Sequence, residues 1–200
     1  MPIKQIVFDF GGVLVDWNPR YMYQKYFEDA AAMEHFLEHI CSHEWNEQQD
    51  AGRTLQEGTD ILVAEFPEHE DMIRRFYDQW TEMIGGAIQE NVNVLNALEP
   101  RYPLYGLTNW SGETFPWAYE QFDFFKKLQG IVVSGDEKLK KPDPEIYQIL
   151  LDRFGLKPEE SLFIDDNQHN ILAADQLGFD TIHLAEDVNL MDAVEEKGLL

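Results

Sequence analysis

At 200 residues and 44% hydrophobic content, the chain can bury one substantial core plus a smaller appended unit, which excludes two large independent domains. Thirty-eight acidic against fifteen basic residues leave a formal charge of −23. A field of that sign repels nucleic-acid phosphates and anionic membrane surfaces, so neither is an expected partner. Cys41 is the only cysteine, no run approaches the ~20 apolar residues of a membrane span, and the N-terminus lacks the apolar region of a signal peptide; the expected compartment is the cytosol.

The first element is Ile6-Val7-Phe8, a short apolar run that reads as a buried strand and ends in Asp9-Phe10-Gly11-Gly12. From Pro19 to Ile84 no convincing strand follows. Amphipathic stretches broken near Ala51-Gly52 and Phe66-Pro67 read as several helices, inserted between a departure at Asp16 to Pro19 and a return at Gly85-Gly86. Residues 1–16 and 86–200 are then expected to form one domain and 17–85 a helical cap. Beyond the insertion, strand and helix patterns alternate. A helix is predicted over Ile88 to Leu98, a strand at Leu104 to Leu107, a helix over Thr114 to Phe125 and a strand at Ile131 to Val133. A helix over Pro144 to Phe154, capped by Asp143, follows, then a strand at Leu162 to Ile164, a helix over Asn170 to Leu177 and a strand at Thr181 to Leu184. Asp187 to Leu200 reads as an acidic terminal helix. This alternation predicts an α/β fold, a Rossmann-like doubly wound parallel sheet with an inserted α-helical cap.

Ligands of such sheets gather where the strands end, so the residues leaving each strand are the candidates for chemistry. They are Asp9 with its glycines, Thr108-Asn109, Lys140-Lys141-Pro142-Asp143 and Asp165-Asp166-Asn167. Glycines after Asp9 leave its carboxylate open to a close approach by ligand, which suits a nucleophile. Several carboxylates in one crevice are costly unless a divalent cation, most naturally Mg²⁺ with its preference for hard oxygens, neutralises them. Thr108 and Asn109 could donate hydrogen bonds to phosphoryl oxygens, and Lys141 could offset the charge spread over them. Against a global charge of −23, such local cations are what an anionic substrate requires.

In order and strand position these residues resemble the four motifs of the haloacid dehalogenase superfamily, over roughly residues 1–16 and 86–186. The resemblance implies that Asp9 attacks phosphorus to form an aspartyl-phosphate, which water then hydrolyses. It implies Mg²⁺ held by Asp9, Asp166 and the Gly11 carbonyl, with Asp165 binding the ion or its water shell and Asn170 supporting the loop. Thr108, Asn109 and Lys141 would hold the transferring group. Gly11 departs from the pattern, because the usual phosphatase has there an Asp whose side chain acts as general acid and base. Its loss removes a contribution typically worth ~10²–10⁴-fold.

Gly11 also keeps two other readings open. The family's carbon-halogen hydrolases likewise lack that second Asp, but Asp165-Asp166-Asn167 stands where they resemble Ser-x-Asn. A weakened domain that binds a phosphorylated metabolite without turnover is the other. The pairing of Asp-x-Gly-x-Val with Phe-Ile-Asp-Asp-Asn is similar to a bacterial phosphatase branch associated with sugar phosphates, including glucose 1-phosphate. The expected partner is therefore a small phosphorylated molecule. Trp17, Trp110 and Arg53 are the candidate substrate contacts, Arg53 because cations are scarce here. Trp45 is a weaker candidate, and Trp80 reads as core. His35, His39 and His43, spaced every four residues, read as a solvated stripe along one helix. Oligomeric state has no signature in the sequence.

Overall fold

The computed structural model describes residues 2–200. Its strands are β1 (Gln5–Phe8), β2 (Val15–Trp17), β3 (Ile84–Ala87), β4 (Leu104–Thr108), β5 (Gly130–Val133), β6 (Ser161–Asp165) and β7 (Asp180–His183). The helices are α1 (Arg20–Tyr23), α2 (Ala30–His39), α3 (His43–Asp50), α4 (Leu55–Glu65), α5 (Glu70–Asp78) and α6 (Gln89–Leu98), followed by α7 (Phe115–Gln121), α8 (Ser134–Glu137), α9 (Pro144–Phe154), α10 (Gln168–Leu177) and α11 (Leu190–Glu196). Among the described residues, no helix is long and apolar enough to cross a membrane.

The five apolar runs pair in parallel in the order β5-β4-β1-β6-β7. Strand alternation divides the core in two. Ile6, Phe8, Leu162 and Ile164 face one layer with Phe10, Phe115 and Phe125, whereas Val7, Leu107 and Phe163 face the other with Ile146, Tyr147 and Leu150. Both faces are covered, as a parallel sheet demands. The chain leaves β1 toward β4 on one side and returns to β6 on the other, so the ends of β1, β4 and β6 lie side by side at the switch point.

Three expectations change in detail. The stretch Thr114 to Phe125 is divided: α7 stops at Gln121, Phe122 turns to extended backbone, and a 3₁₀ turn covers Asp123–Lys127. Asp143 stands at the N-cap of α9 but makes no capping bond. Instead, the side chain of Asn167 starts α10 by accepting from the His169 N–H at 2.9 Å. The insertion is helical as expected, but its two crossings pair with each other in an antiparallel ribbon, β2 with β3, with Asp16 opposite Gly86. With three and four residues, these strands are too short to register as periodic patterns.

Candidate active site

Asp9 follows β1 directly, and its N–H donates to the Ile164 carbonyl at 2.9 Å, so the ladder itself fixes the residue beside the end of β6. The turn after it is tight: the N–H groups of Val13, Leu14 and Val15 all donate to the Phe10 carbonyl. Gly12 has φ +73°, and a Cβ there would overlap the Asp166 carboxylate. Close approach and left-handed backbone both require glycine at that position. Gly11 is different, since its φ is ordinary and a Cβ would meet nothing within 4 Å. Its lack of a side chain is therefore a matter of chemistry, not of space.

Lys141 sits at the centre of the cluster. Its ammonium lies 2.8 Å from Asp9 Oδ1 and 2.6 Å from Asp165 Oδ2, with the side chain wholly enclosed. Asp165 also accepts from Asn170 Nδ2 at 3.1 Å on both oxygens and from the Asn167 N–H at 2.8 Å. Burial opposes the charge on Lys141, but Asp165 and Asp9 outweigh it and hold the ammonium above its ordinary range. Burial pushes the Asp9 carboxyl up to about 7; Lys141 draws it back, and Asp165 and Asp166 push it up again. Asp166 is raised by burial and by Asp165. Three carboxylates with oxygens within 4.8 Å of one another thus share a single ammonium. The excess negative charge and the all-oxygen donor set fit a hard divalent cation.

Thr108, the last residue of β4, is 1% exposed, and its Oγ1 is the one buried side-chain polar atom without a partner among the described residues. A hydroxyl in that state fits a site whose partner is a ligand oxygen. Thr108→Val is therefore expected to leave thermal stability equal or higher, because the unsatisfied hydroxyl is removed at constant shape. It should lower turnover by about 10²–10³-fold, since one neutral donor to the transferring group is worth roughly 2.7–4 kcal/mol in the transition state. Paired melting curves and steady-state kinetics check both halves.

Asn109 has another role than the one its position suggests. Its Nδ2 donates to the Lys141 carbonyl at 2.9 Å and its Oδ1 accepts from the Lys141 N–H at 2.8 Å, so both amide atoms hold the lysine loop. Trp17, Trp110 and Gly11 line the same cavity of about 360 Å³ as Asp9 and Asp166. Arg53 does not: its guanidinium bonds Gln49 Oε1 at 2.6 Å and the Trp45 carbonyl at 3.2 Å within the helical segment. Trp45 is packed against Phe76 and donates to the Gly58 carbonyl. Trp80 is buried as expected, yet it also faces the cavity, with its ring 5.9 Å from that of Trp110.

The far wall comes largely from residues the sequence reading did not select. His43, Asn46, Glu47 and Asp50 face the cavity from α3, joined by Tyr77 from α5. The histidine stripe is not one helix face, because α2 ends at His39 and Ser42 caps a new helix. A usable signal existed: positions 43, 46, 47 and 50 form a wholly polar helix face. Lys140 reaches across to Glu47 at 2.6 Å, Ser134 Oγ donates to the Asp50 carbonyl, and the Leu55 N–H donates to Glu113 at 2.8 Å. These polar contacts join the helical segment to the loops beyond the sheet.

A parallel sheet of this order, with a nucleophile-type Asp beside a lysine and a pair of acidic residues, defines a class of hydrolase. The model of the haloacid dehalogenase-like hydrolase family matches residues 3–178, and the chain belongs to that family. Its relatives include (S)-2-haloacid dehalogenase 1 of Pseudomonas sp. (strain CBS-3), 26% identical over 92% of this chain and 85% of that one. The phosphorylated carbohydrates phosphatase of Thermotoga maritima is also 26% identical, over 90% of this chain and 84% of its own. Among solved structures, a HAD family enzyme from Bacteroides thetaiotaomicron, crystallised as a magnesium complex, superposes with a TM-score of 0.75 at 21% identity, covering 96% of this chain and 98% of that one.

Proposed function

We propose that this hydrolase cleaves small phosphomonoesters through an aspartyl-phosphate on Asp9, with Mg²⁺ as its cofactor. The carrying observation is the crevice in which Asp9, Asp165 and Asp166 cluster, the first two paired with one enclosed lysine, with an unpartnered Thr108 hydroxyl at the end of the neighbouring strand β4. Asp9 and Asp166 would hold the ion with the Gly11 carbonyl. Asp165, whose oxygens already serve Lys141, Asn170 and Asn167, acts from behind. When bound, the ion supplies positive charge against the phosphoryl oxygens and cancels the repulsion among the carboxylates. Lys141 and Thr108 stabilise the charge that the transferring group spreads over its oxygens. Asn109 keeps Lys141 in place.

Residues 17–85 act as a cap that supplies the substrate-facing wall, while 1–16 and 86–200 carry the chemistry. The charged residues lining the cavity are Asp9, Glu47, Asp50 and Asp166, with His43 as the remaining titratable contributor besides Tyr77. Nothing there welcomes a second anionic group. Trp17, Trp80 and Trp110 with Asn46 and Ser111 instead provide flat apolar faces and hydrogen-bonding groups, which suit a neutral polyhydroxylated body such as a sugar. The Thermotoga maritima phosphatase of phosphorylated carbohydrates lends support.

The relationship to a 2-haloacid dehalogenase favours a second reading, which halide release decides. In a panel with Mg²⁺, neutral sugar monophosphates should exceed phosphoglycolate or bisphosphates in kcat/KM by tenfold or more, about 1.4 kcal/mol. Chelation should abolish phosphate release. Activity indifferent to chelation, or chloride released from a 2-chloroalkanoate without metal, would overturn the proposal.

A further inference from the structure

Cleavage of an alkyl phosphate leaves an alkoxy oxygen that must be protonated, and Gly11 at the nucleophile turn has no side chain to do it. The donor must come from the other titratable groups that line the cavity: Asp9, His43, Glu47, Asp50, Tyr77 and Asp166. Asp9 is the nucleophile and Asp166 a metal ligand. Tyr77 donates its hydroxyl proton to Asn46 Oδ1 at 2.9 Å, and burial pushes its phenol far up. Glu47 is bonded to the Lys140 ammonium at 2.6 Å and lies 3.3 Å from His43 Nε2. Asp50 is left. Among the described residues, no lysine or arginine is bonded to it. It ends α3, its Oδ2 accepts from Asn46 Nδ2 at 3.1 Å, and Ser111, in the loop after β4, lines the same cavity and draws its carboxyl down. That donor fixes the group, yet two oxygens offer more positions than one bond uses.

We propose that Asp50 is the general acid and base of the reaction, a role that rests on the phosphohydrolase reading above. As an Asp9 oxygen bonds to phosphorus, the ester P–O bond breaks toward the alkoxy oxygen, which takes the Asp50 proton and leaves as an alcohol. Water then attacks phosphorus and gives its proton to the Asp50 carboxylate. The bond to Asp9 breaks, releasing inorganic phosphate and restoring both residues. The surroundings favour this use. Burial and the neighbouring Glu47 push Asp50 up to about 7, against the opposing pull of the Ser111 N–H and of Lys140. Asn46 and Glu47 from α3, Ser111 and Lys140 from the loops beyond the sheet, and Tyr77 from α5 are the polar groups that face it. An acid poised near neutrality is the most effective proton carrier there.

The test compares wild type with Asp50→Asn on an alkyl phosphate, such as a sugar phosphate, and on p-nitrophenyl phosphate, whose leaving group needs little protonation. Asp50→Asn should lower kcat/KM by about 10²–10⁴-fold on the alkyl ester and less than about tenfold on the aryl ester. A burst of p-nitrophenol equal to the enzyme concentration, which needs phosphorylation of Asp9 but not its hydrolysis, also certifies folding. In wild type, kcat/KM for the alkyl ester should fall as pH rises through about 7, because the protonated acid is consumed; this limb should vanish in the variant. Equal losses on both esters, or none on either, would overturn the role of Asp50. A leaving-group-dependent loss in His43→Gln but not in Asp50→Asn would transfer it to His43. Failure of the underlying reading looks different: wild type inactive on every ester, or Asp9→Asn still active.

Discussion

Replacing Asp9 by Asn is expected to abolish turnover, with a loss of about 10⁴-fold or more, because removing a nucleophile that acts as one unit with its partners costs on that scale. The amide keeps the shape and cannot form the acyl phosphate. The variant should nevertheless be folded and, without metal, more thermostable than wild type. Asp9 is buried, next to two further carboxylates that share a single ammonium, so its charge opposes folding. Asn removes that repulsion and leaves Lys141 paired with Asp165. Adding Mg²⁺ should raise the melting temperature of wild type more than that of the variant, since an ion that binds only the folded state stabilises in proportion to its affinity. Phosphate release together with thermal melts, with and without Mg²⁺, measures both effects. Residual activity within tenfold of wild type would be incompatible with Asp9 as nucleophile.

Lys141→Met is the second large effect, and its sign on stability is opposite. The ammonium lies between Asp9 at 2.8 Å and Asp165 at 2.6 Å with no exposure. Methionine fills a similar volume but strands two carboxylates. Breaking a buried pair by removing one partner costs about 3–5 kcal/mol. For a chain of this size, roughly 2–4 °C per kcal/mol makes that a fall in melting temperature on the order of 10 °C. Activity should disappear as well, and Mg²⁺ should recover part of the stability but not the turnover, because the cation facing the phosphoryl oxygens is lost. Lys141→Arg should not rescue it, since a planar guanidinium cannot occupy the place of a compact ammonium. Calorimetry beside kinetics is the check. A Lys141→Met protein as stable as wild type would mean that the carboxylates are compensated elsewhere.

The sheet was legible because a buried parallel strand is a short continuous apolar run, and Ile6 to Phe8 or Leu162 to Ile164 have no other use. The chemical residues were legible because topology places whatever follows those runs in one crevice. Spacing along the chain could not foretell where a long side chain would turn. Arg53 was chosen as a scarce cation, but four residues before it Gln49 offered an acceptor within its own segment. Asn109 faces the right crevice, and the Lys141 backbone engages its amide. Asp50 was passed over because the polar helix face it shares with His43, Asn46 and Glu47 is, from sequence alone, the ordinary mark of a solvated surface. Its meaning comes from Ser111 and Lys140, sixty and more positions away.

The contacts from Ser134 to Asp50, from Lys140 to Glu47 and from Glu113 to Leu55 tie the far wall to the sheet through groups for which water can compete. Asp50 belongs to that wall, whereas Asp9 is held by the sheet ladder. An acid at position 11 would be present at all times; an acid on α3 is present only while the wall is docked. With Asp50 as the proposed acid, chemistry and enclosure would be synchronised. On the proposed mechanism, a phosphorylated Asp9 would meet its proton acceptor only in a docked enzyme, and an undocked one would be idle instead of wasteful.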